Sequence, residues 1–327
     1  MTGARPLASV IIPSHNRRAL LIEAMDSVRA QSYRPLELIV VDDGSTDGTA
    51  EAVAAWIEAQ KDAPDFQALL LVQPNAGAPA ARNWGFAAAR GAYIQYLDSD
   101  DLLGPEKIAT AARILARDPE VDMVCAGMEI LDTATGARRR FEGADLAARP
   151  TPAEIALRMS QTMIPVFRRA VIHAAGPWDE HLAALQDWEF FARALLHVRR
   201  AAAVPGVHCV MRQHPGARVS TRRDRRAELE ASRVRAVRSV LDAIRQSGAR
   251  DPAAEARMLR WYAAAVLAVA RLGGGAEARA LLAEDADRWP DWMRFRLLRR
   301  ALLGVCRLPG PSLDRLVLNA RRWRSRA

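Results

Sequence analysis

Three carboxylates stand within four residues at Asp98, Asp100 and Asp101, directly after the apolar run Tyr93–Leu97. Like charges this close repel, so a stable chain offsets them with a cation or with strong donors. A divalent ion held by few carboxylates is the chemistry this spacing suits, and a solvated turn after a strand is the plainer alternative. Two more polar clusters share the setting. "PSHN" (13–16) ends the apolar run that starts at Ala8, and "DDGSTD" (42–47) follows "LELIVV" (36–41).

The elements that must position these clusters follow from pattern. "ASVIIP" (8–13), "LELIVV", "ALLLV" (68–72), "AYIQYL" (92–97) and "VDMVCAGMEIL" (121–131) read as strands, the first four short and buried. Helices alternate with them. One carries Leu20, Leu21, Ala24, Met25 and Val28 at helical spacing, with Asn16 as its expected cap. The next starts at a cap of Ser45 or Thr46, and two more open at Pro79 and Pro105. Such alternation predicts an α/β fold with a mostly parallel sheet and flanking helices. Ligands of these sheets bind at the carboxyl ends of the strands, where all three clusters lie.

From Thr151 the pattern loosens into a strand, a short helix, the helical "LQDWEFFARALLH" (185–197) and the strand "GVHCVMRQ" (206–213). Phe190, Phe191, Ala194 and Leu195 form its expected inward face. Ala/Leu/Arg-rich helices follow. The expected division is residues 1–222, itself in two halves of about 1–130 and 131–222, and a basic helical module over 223–327.

Charge divides the same way. Residues 1–211 hold 21 Lys and Arg against 26 Asp and Glu, leaving 26 basic and 12 acidic residues from Arg212 onward. Cys125, Cys209 and Cys306 are isolated and lack metal-ligand spacing, which fits a reducing compartment. No stretch approaches the ~20 apolar residues of a membrane span, and no cleavable leader is evident. A cytoplasmic chain, peripheral at the inner face of the membrane, is therefore expected.

Six motifs in this order, "VIIPSHNR", "VVDDGSTDGT", "NAGAPAARNWG", "YLDSDD", "LQDWEF" and "RQHPGARVS", resemble the inverting glycosyltransferases of family 2, which have a GT-A fold. The likeness covers about residues 8–220. It implies transfer of a sugar from a nucleotide-diphosphate donor to an acceptor hydroxyl, in cell-surface polysaccharide or glycolipid assembly. "DSDD" then matches the family's DXD motif, with Asp100 ligating Mg2+ or Mn2+ and Asp98 at the ribose or the ion. Asp101 is the spare carboxylate, or a cap for the Pro105 helix. Pro13, Asn16, Asp42 and Asp43 would line the nucleotide pocket, Asp43 being favoured for the base or ribose. Arg82 and Asn83 would approach the sugar diphosphate, since Arg suits phosphate as a bidentate donor.

Inversion needs one general base. The family's "ED" pair is Gln186-Asp187 here, so Asp187 matches the base and Gln186 departs from the pattern. Glu189 is the fallback, or else a solvated helix position. His214 matches a loop histidine that closes over the diphosphate or completes the metal site; Arg212 and Ser220 are weaker candidates in the same segment. The remaining histidines, at 15, 173, 181, 197 and 208, read as structural.

Other classes fit less well. "PSHNR" has no glycine, which excludes a G-x-G-x-x-G dinucleotide loop. A non-catalytic nucleotide-sugar-binding module is the retained alternative, supported only by Gln186. The basic C-terminal third mixes Arg294, Arg296, Arg299, Arg300 and Arg307 with Leu297, Leu298, Leu302 and Leu303. That mixture favours an anionic membrane carrying a lipid-linked acceptor over nucleic acid as the partner.

Overall fold

A computed structural model describes residues 5–141, 161–214, 226–248, 252–272 and 275–284. The chain divides into two compact units, one of Met1–Glu180 with Gln186–Gly216, the other of His181–Leu185 with Ala217–Ala327. The expected boundary at residue 222 lies outside the described residues, as do Ser220, Cys306 and the basic stretch from Arg294 to Arg307.

The first unit opens with β1 (Ala8–Ser14), α1 (Arg18–Arg29), β2 (Leu36–Asp43), α2 (Thr49–Ala59), β3 (Phe66–Gln73), α3 (Ala78–Ala88) and β4 (Tyr93–Tyr96). It continues through β5 (Leu102–Leu103), α4 (Lys107–Arg117), β6 (Val121–Asp132), β7 (Arg138–Phe141) and β8 (Pro165–Arg168). It closes with α5 (Arg169–Ala175), α6 (Gln186–Leu195) and β9 (Arg200–Gln213). The sheet runs β3-β2-β1-β4-β8-β6-β9-β5, with β7 paired to β6. Its first four strands are parallel. Beyond β4 it is mixed: β8 runs antiparallel to both β4 and β6, while β6 and β9 are parallel. With helices flanking the sheet, this is the α/β architecture of a GT-A fold.

Register is what gathers the polar clusters. Ser14 pairs with Asp42 and Asp43 with Gln73, so β1, β2 and β3 end level with one another. Ile11 pairs with Tyr96, which carries Asp98 two residues beyond the last ladder position on the same edge. The apolar runs beneath are wholly buried: Val10, Ile11 and Ile12 of β1 pack with Leu38 to Val41 of β2 and Leu21, Met25 and Val28 of α1. Because β-branched and leucine side chains project to both faces, helices must cover both.

Helix starts differ from the sequence expectation. Asn16 has φ +51° and caps nothing; its Oδ1 accepts the Thr46 N–H at 2.8 Å, and Arg17 occupies the N-cap of α1. Neither Ser45 nor Thr46 caps α2, which begins after Gly48; Asp47 accepts the Thr49 N–H at 3.1 Å instead. A tertiary partner takes Asn16, whereas at α2 a nearer local carboxylate supplies the acceptor.

The second unit contains α7 (Arg226–Gln246), α8 (Pro252–Arg271) and α9 (Gly275–Glu284), with Val234, Val237, Leu241, Met258, Tyr262 and Val266 buried. The Ser232 hydroxyl accepts the Ala184 N–H at 2.9 Å and donates to its carbonyl at 3.0 Å. Among the described residues, no helix is long and apolar enough to cross a membrane.

One glycine sets how closely α3 approaches the sheet. A Cβ on Gly85 would stand 2.5 Å from Ile11 Cγ2 and 3.2 Å from Val41 Cγ2. Gly85→Ala should therefore destabilise the chain by ~1–3 kcal/mol through overpacking. A lowered denaturation midpoint in urea checks this; an unchanged midpoint contradicts the close approach.

Candidate active site

The acidic turn is compensated residue by residue. Asp98 Oδ1 accepts from Arg82 Nη2 at 2.8 Å. Asp100 Oδ2 accepts from Arg17 Nη1, and His214 Nε2 lies 3.1 Å from the same oxygen. Asp101 Oδ1 accepts the backbone N–H of Arg212 at 3.0 Å, and it does not cap α4. The Arg212 side chain is itself buried and bonds the Asp100 carbonyl, the Leu20 carbonyl at 2.9 Å and the Glu23 carboxylate. Arg212 thus fastens the acidic turn to α1. The sequence offered no stronger signal for this than an arginine beside a loop histidine.

Arg82 is the central cation. Its position at the second turn of α3 buries it, and its guanidinium sits 4.5 Å over the Trp178 ring. Besides Asp98 it donates to Gln186 Oε1 at 3.3 Å. Trp178 in turn stacks on Phe190, with centroids 4.0 Å apart and planes 7° apart, and Tyr96 meets the Trp178 ring edge-on at 5.2 Å. Phe190 and Phe191 lie three and four residues after Asp187, hence on its face of α6. Aromatic packing therefore turns Asp187 towards the ends of the strands.

Asp187 is half-buried in the first turn of α6. Burial pushes its carboxyl up to about 6; Arg82 pulls it down, and the Asp98 charge pushes it up. Glu189, in contrast, is neither solvated nor available as a base. It is buried and held by Arg193 at 2.6 and 2.9 Å.

The turn after β2 is held by its own hydrogen bonds. Asp42 accepts from the Ser45 N–H at 3.2 Å and from its hydroxyl. Asp43 accepts from Gln73 Nε2 at 2.7 Å and from the N–H groups of Ala76 and Gly77 at 2.8 Å each, so its carboxylate anchors the β3–α3 loop. Pro13 is buried in β1 opposite Val41. His15 Nδ1 lies 2.8 Å from the Asp43 carbonyl, a structural contact. Asn83 is turned away from the acidic turn. Its Oδ1 accepts the Trp178 N–H at 2.8 Å, and its Nδ2 donates to the Trp178 carbonyl and to Glu180. One residue along a helix rotates the side chain by ~100°, which separates Asn83 from Arg82.

The donor set fits a divalent cation. Asp98, Asp100 and Asp101 bring ligand oxygens within 4.8 Å of one another, the imidazole of His214 adds a nitrogen, and a guanidinium already stands in as the cation at Asp100. Hard oxygen ligands in small number leave positions open for phosphate, as Mg2+ and Mn2+ sites do.

The model of the glycosyl transferase family 2 matches residues 9–174, just over half of the chain. The chain belongs to that family. An uncharacterised glycosyltransferase of Haemophilus influenzae is 40% identical over 103 residues, covering 32% of this chain and 40% of that protein. TuaG of Bacillus subtilis, provisionally named for teichuronic acid biosynthesis, is 37% identical over 108 residues, covering 33% of this chain and 41% of its own. The matched stretch thus spans about two-fifths of the length of these curated relatives. The fold is that of S. aureus TarS 1-349, solved with UDP-GlcNAc (TM-score 0.64, 18% identity, 94% of this chain and 91% of that one). The mannosyltransferase PcManGT of Pyrobaculum calidifontis, solved with GDP-Man and Mn2+, is 25% identical (TM-score 0.53, 92% and 86%).

A general base must be ionised to act, so with Asp187 in that role turnover should fall as pH drops through about 6. Arg82 lowers the Asp187 pKa. Arg82→Gln should therefore shift that acid limb to higher pH. A pH–rate profile of both proteins checks this, and a limb that stays in place contradicts the coupling.

Proposed function

We propose that this chain transfers a sugar from a nucleotide-diphosphate sugar to a hydroxyl of a glycan or lipid-linked acceptor, inverting the anomeric carbon. The observation that carries this reading is the link from Asp98 through Arg82 to Gln186, which sets a carboxylate of raised pKa beside the acidic turn. The roles divide accordingly. Asp187 takes the proton of the acceptor hydroxyl as it attacks. A carboxyl whose pKa is raised towards neutrality is a better proton acceptor than an ordinary surface aspartate. Gln186, uncharged, accepts from Arg82 without adding a second negative charge next to the base.

Asp98, Asp100 and His214 would hold the divalent cation, with Asp42, Asp43, Pro13 and Asn16 around the nucleotide. When bound there, Mg2+ or Mn2+ supplies neutralisation of the charge that builds on the departing diphosphate. The UDP-GlcNAc bound to TarS and the GDP-Man and Mn2+ bound to PcManGT support a nucleotide-sugar donor and the cation, with UDP-sugar as the default. The naming of TuaG supports cell-surface polysaccharide assembly.

A thermal-shift screen of nucleotide sugars with Mn2+ identifies the donor, because a ligand of the native state raises Tm. Asp100→Ala should abolish the Mn2+-dependent shift. Asp187→Asn should keep it and cut turnover by ~10²-fold or more, the usual worth of a positioned base. Equal loss of donor binding in Asp187→Asn would place that residue in the donor site. Donor binding without turnover in the unaltered chain would favour a binding module.

A further inference from the structure

The Arg17 guanidinium is held where a cation belongs. Its Nη1 bonds Asp100 Oδ2 and lies 3.0 Å from His214 Nε2, while His214 Nε2 is 3.1 Å from that same oxygen. One cationic nitrogen thereby draws together a carboxylate oxygen and an imidazole nitrogen that lie 114 residues apart in the chain. Nε2 can accept from Arg17 or donate to Asp100 according to which ring nitrogen carries the proton, so both contacts fit one imidazole.

This placement is built in. Asn16 adopts a left-handed φ of +51°, which asparagine tolerates better than most residues. The nucleotide turn holds it there. The Ser45 hydroxyl accepts the Asn16 N–H at 2.8 Å, and Asn16 Oδ1 accepts the Thr46 N–H. The reversal at Asn16 directs Arg17 to Asp100, and the resulting ion pair is three-quarters or more buried on both sides. Screening by water is correspondingly reduced.

We propose that Arg17 is a tethered cation that occupies the divalent ion's place on Asp100 and sets how tightly this chain binds that ion. The inference depends on the reading of Asp98, Asp100 and His214 as a cation site. A divalent ion on Asp100 needs the carboxylate oxygen that Arg17 now bonds, beside His214, and two positive groups in one seat repel. The guanidinium must swing out before the ion enters. Apparent affinity is then the intrinsic affinity multiplied by the fraction of chains in which Arg17 has left. In this account the tether keeps the acidic turn neutralised until the ion arrives.

The test is Mn2+ binding to the full chain without nucleotide, read from the free-Mn2+ electron paramagnetic resonance signal. Arg17→Gln should bind Mn2+ about 5-fold more tightly than the unaltered chain, the upper scale of an ion pair that water still partly screens. Arg17→Lys, which keeps the charge but loses the planar fork, should fall between. Arg18→Gln is the control for net charge, since the Arg18 guanidinium lies against Gly48 instead, and it should bind as the unaltered chain does. Asp100→Asn should lose binding. If Asp100-dependent binding is unmoved or weakened in Arg17→Gln, the tether is wrong and the cation site stands. Equal tightening in Arg18→Gln also overturns it, by reducing the effect to overall charge. If no protein shows binding that Asp100→Asn removes, the cation site and the tether both fall.

Discussion

A buried guanidinium keeps its charge, so its desolvation is costly unless partners offset it, and Arg82 has assembled its partners from three distant parts of the chain. Asp98 comes from the end of β4, Gln186 from the start of α6, and the Trp178 ring from the turn after α5. Removing one member of such a group leaves the others desolvated and uncompensated, which is why these contacts act as a unit. The ion pair also acts on Asp187: burial pushes its carboxyl up, Arg82 pulls it down and the Asp98 charge pushes it up. Gly85, one turn after Arg82 on α3, allows the close helix–sheet approach that carries Arg82 inward.

The same economy answers the problem of three adjacent carboxylates. Asp98, Asp100 and Asp101 each have an arginine donor, from Arg82, Arg17 and the backbone of Arg212. The turn is therefore formed before any metal binds. This differs from small structural metal sites, where the ion provides the folding energy itself. In the proposed reaction Asp98, Asp100 and His214 would therefore hold the ion with ligands already in place.

Much of this was legible in sequence, and the reason is local. Short β-branched runs followed at once by polar clusters mark parallel strands and their carboxyl ends, and β1, β2 and β4 follow that rule. The antiparallel insertion of β8 between β4 and β6 was not legible, because strand order is set by long-range pairing and leaves no local trace. Caps failed for two reasons: Asn16 spends its side chain on the distant Thr46, and at α2 the nearer Asp47 supplies the acceptor in place of Ser45 and Thr46. Glu189 looks solvated in sequence because its partner Arg193, four residues on, gives the pattern of an ordinary surface pair. Arg17 went unassigned because a basic residue at a helix start carries no signal without knowledge of His214 and Asp100 beside it.

The central claim is a single displacement driven by one base, and the configuration of the product tests it most directly. The full chain is incubated with Mn2+ and the nucleotide sugar it binds, and the first-formed sugar is read by proton nuclear magnetic resonance before mutarotation. Transfer to water or to an acceptor serves equally well. The account predicts the anomeric configuration opposite to that of the donor. Product with the donor's own configuration would contradict it.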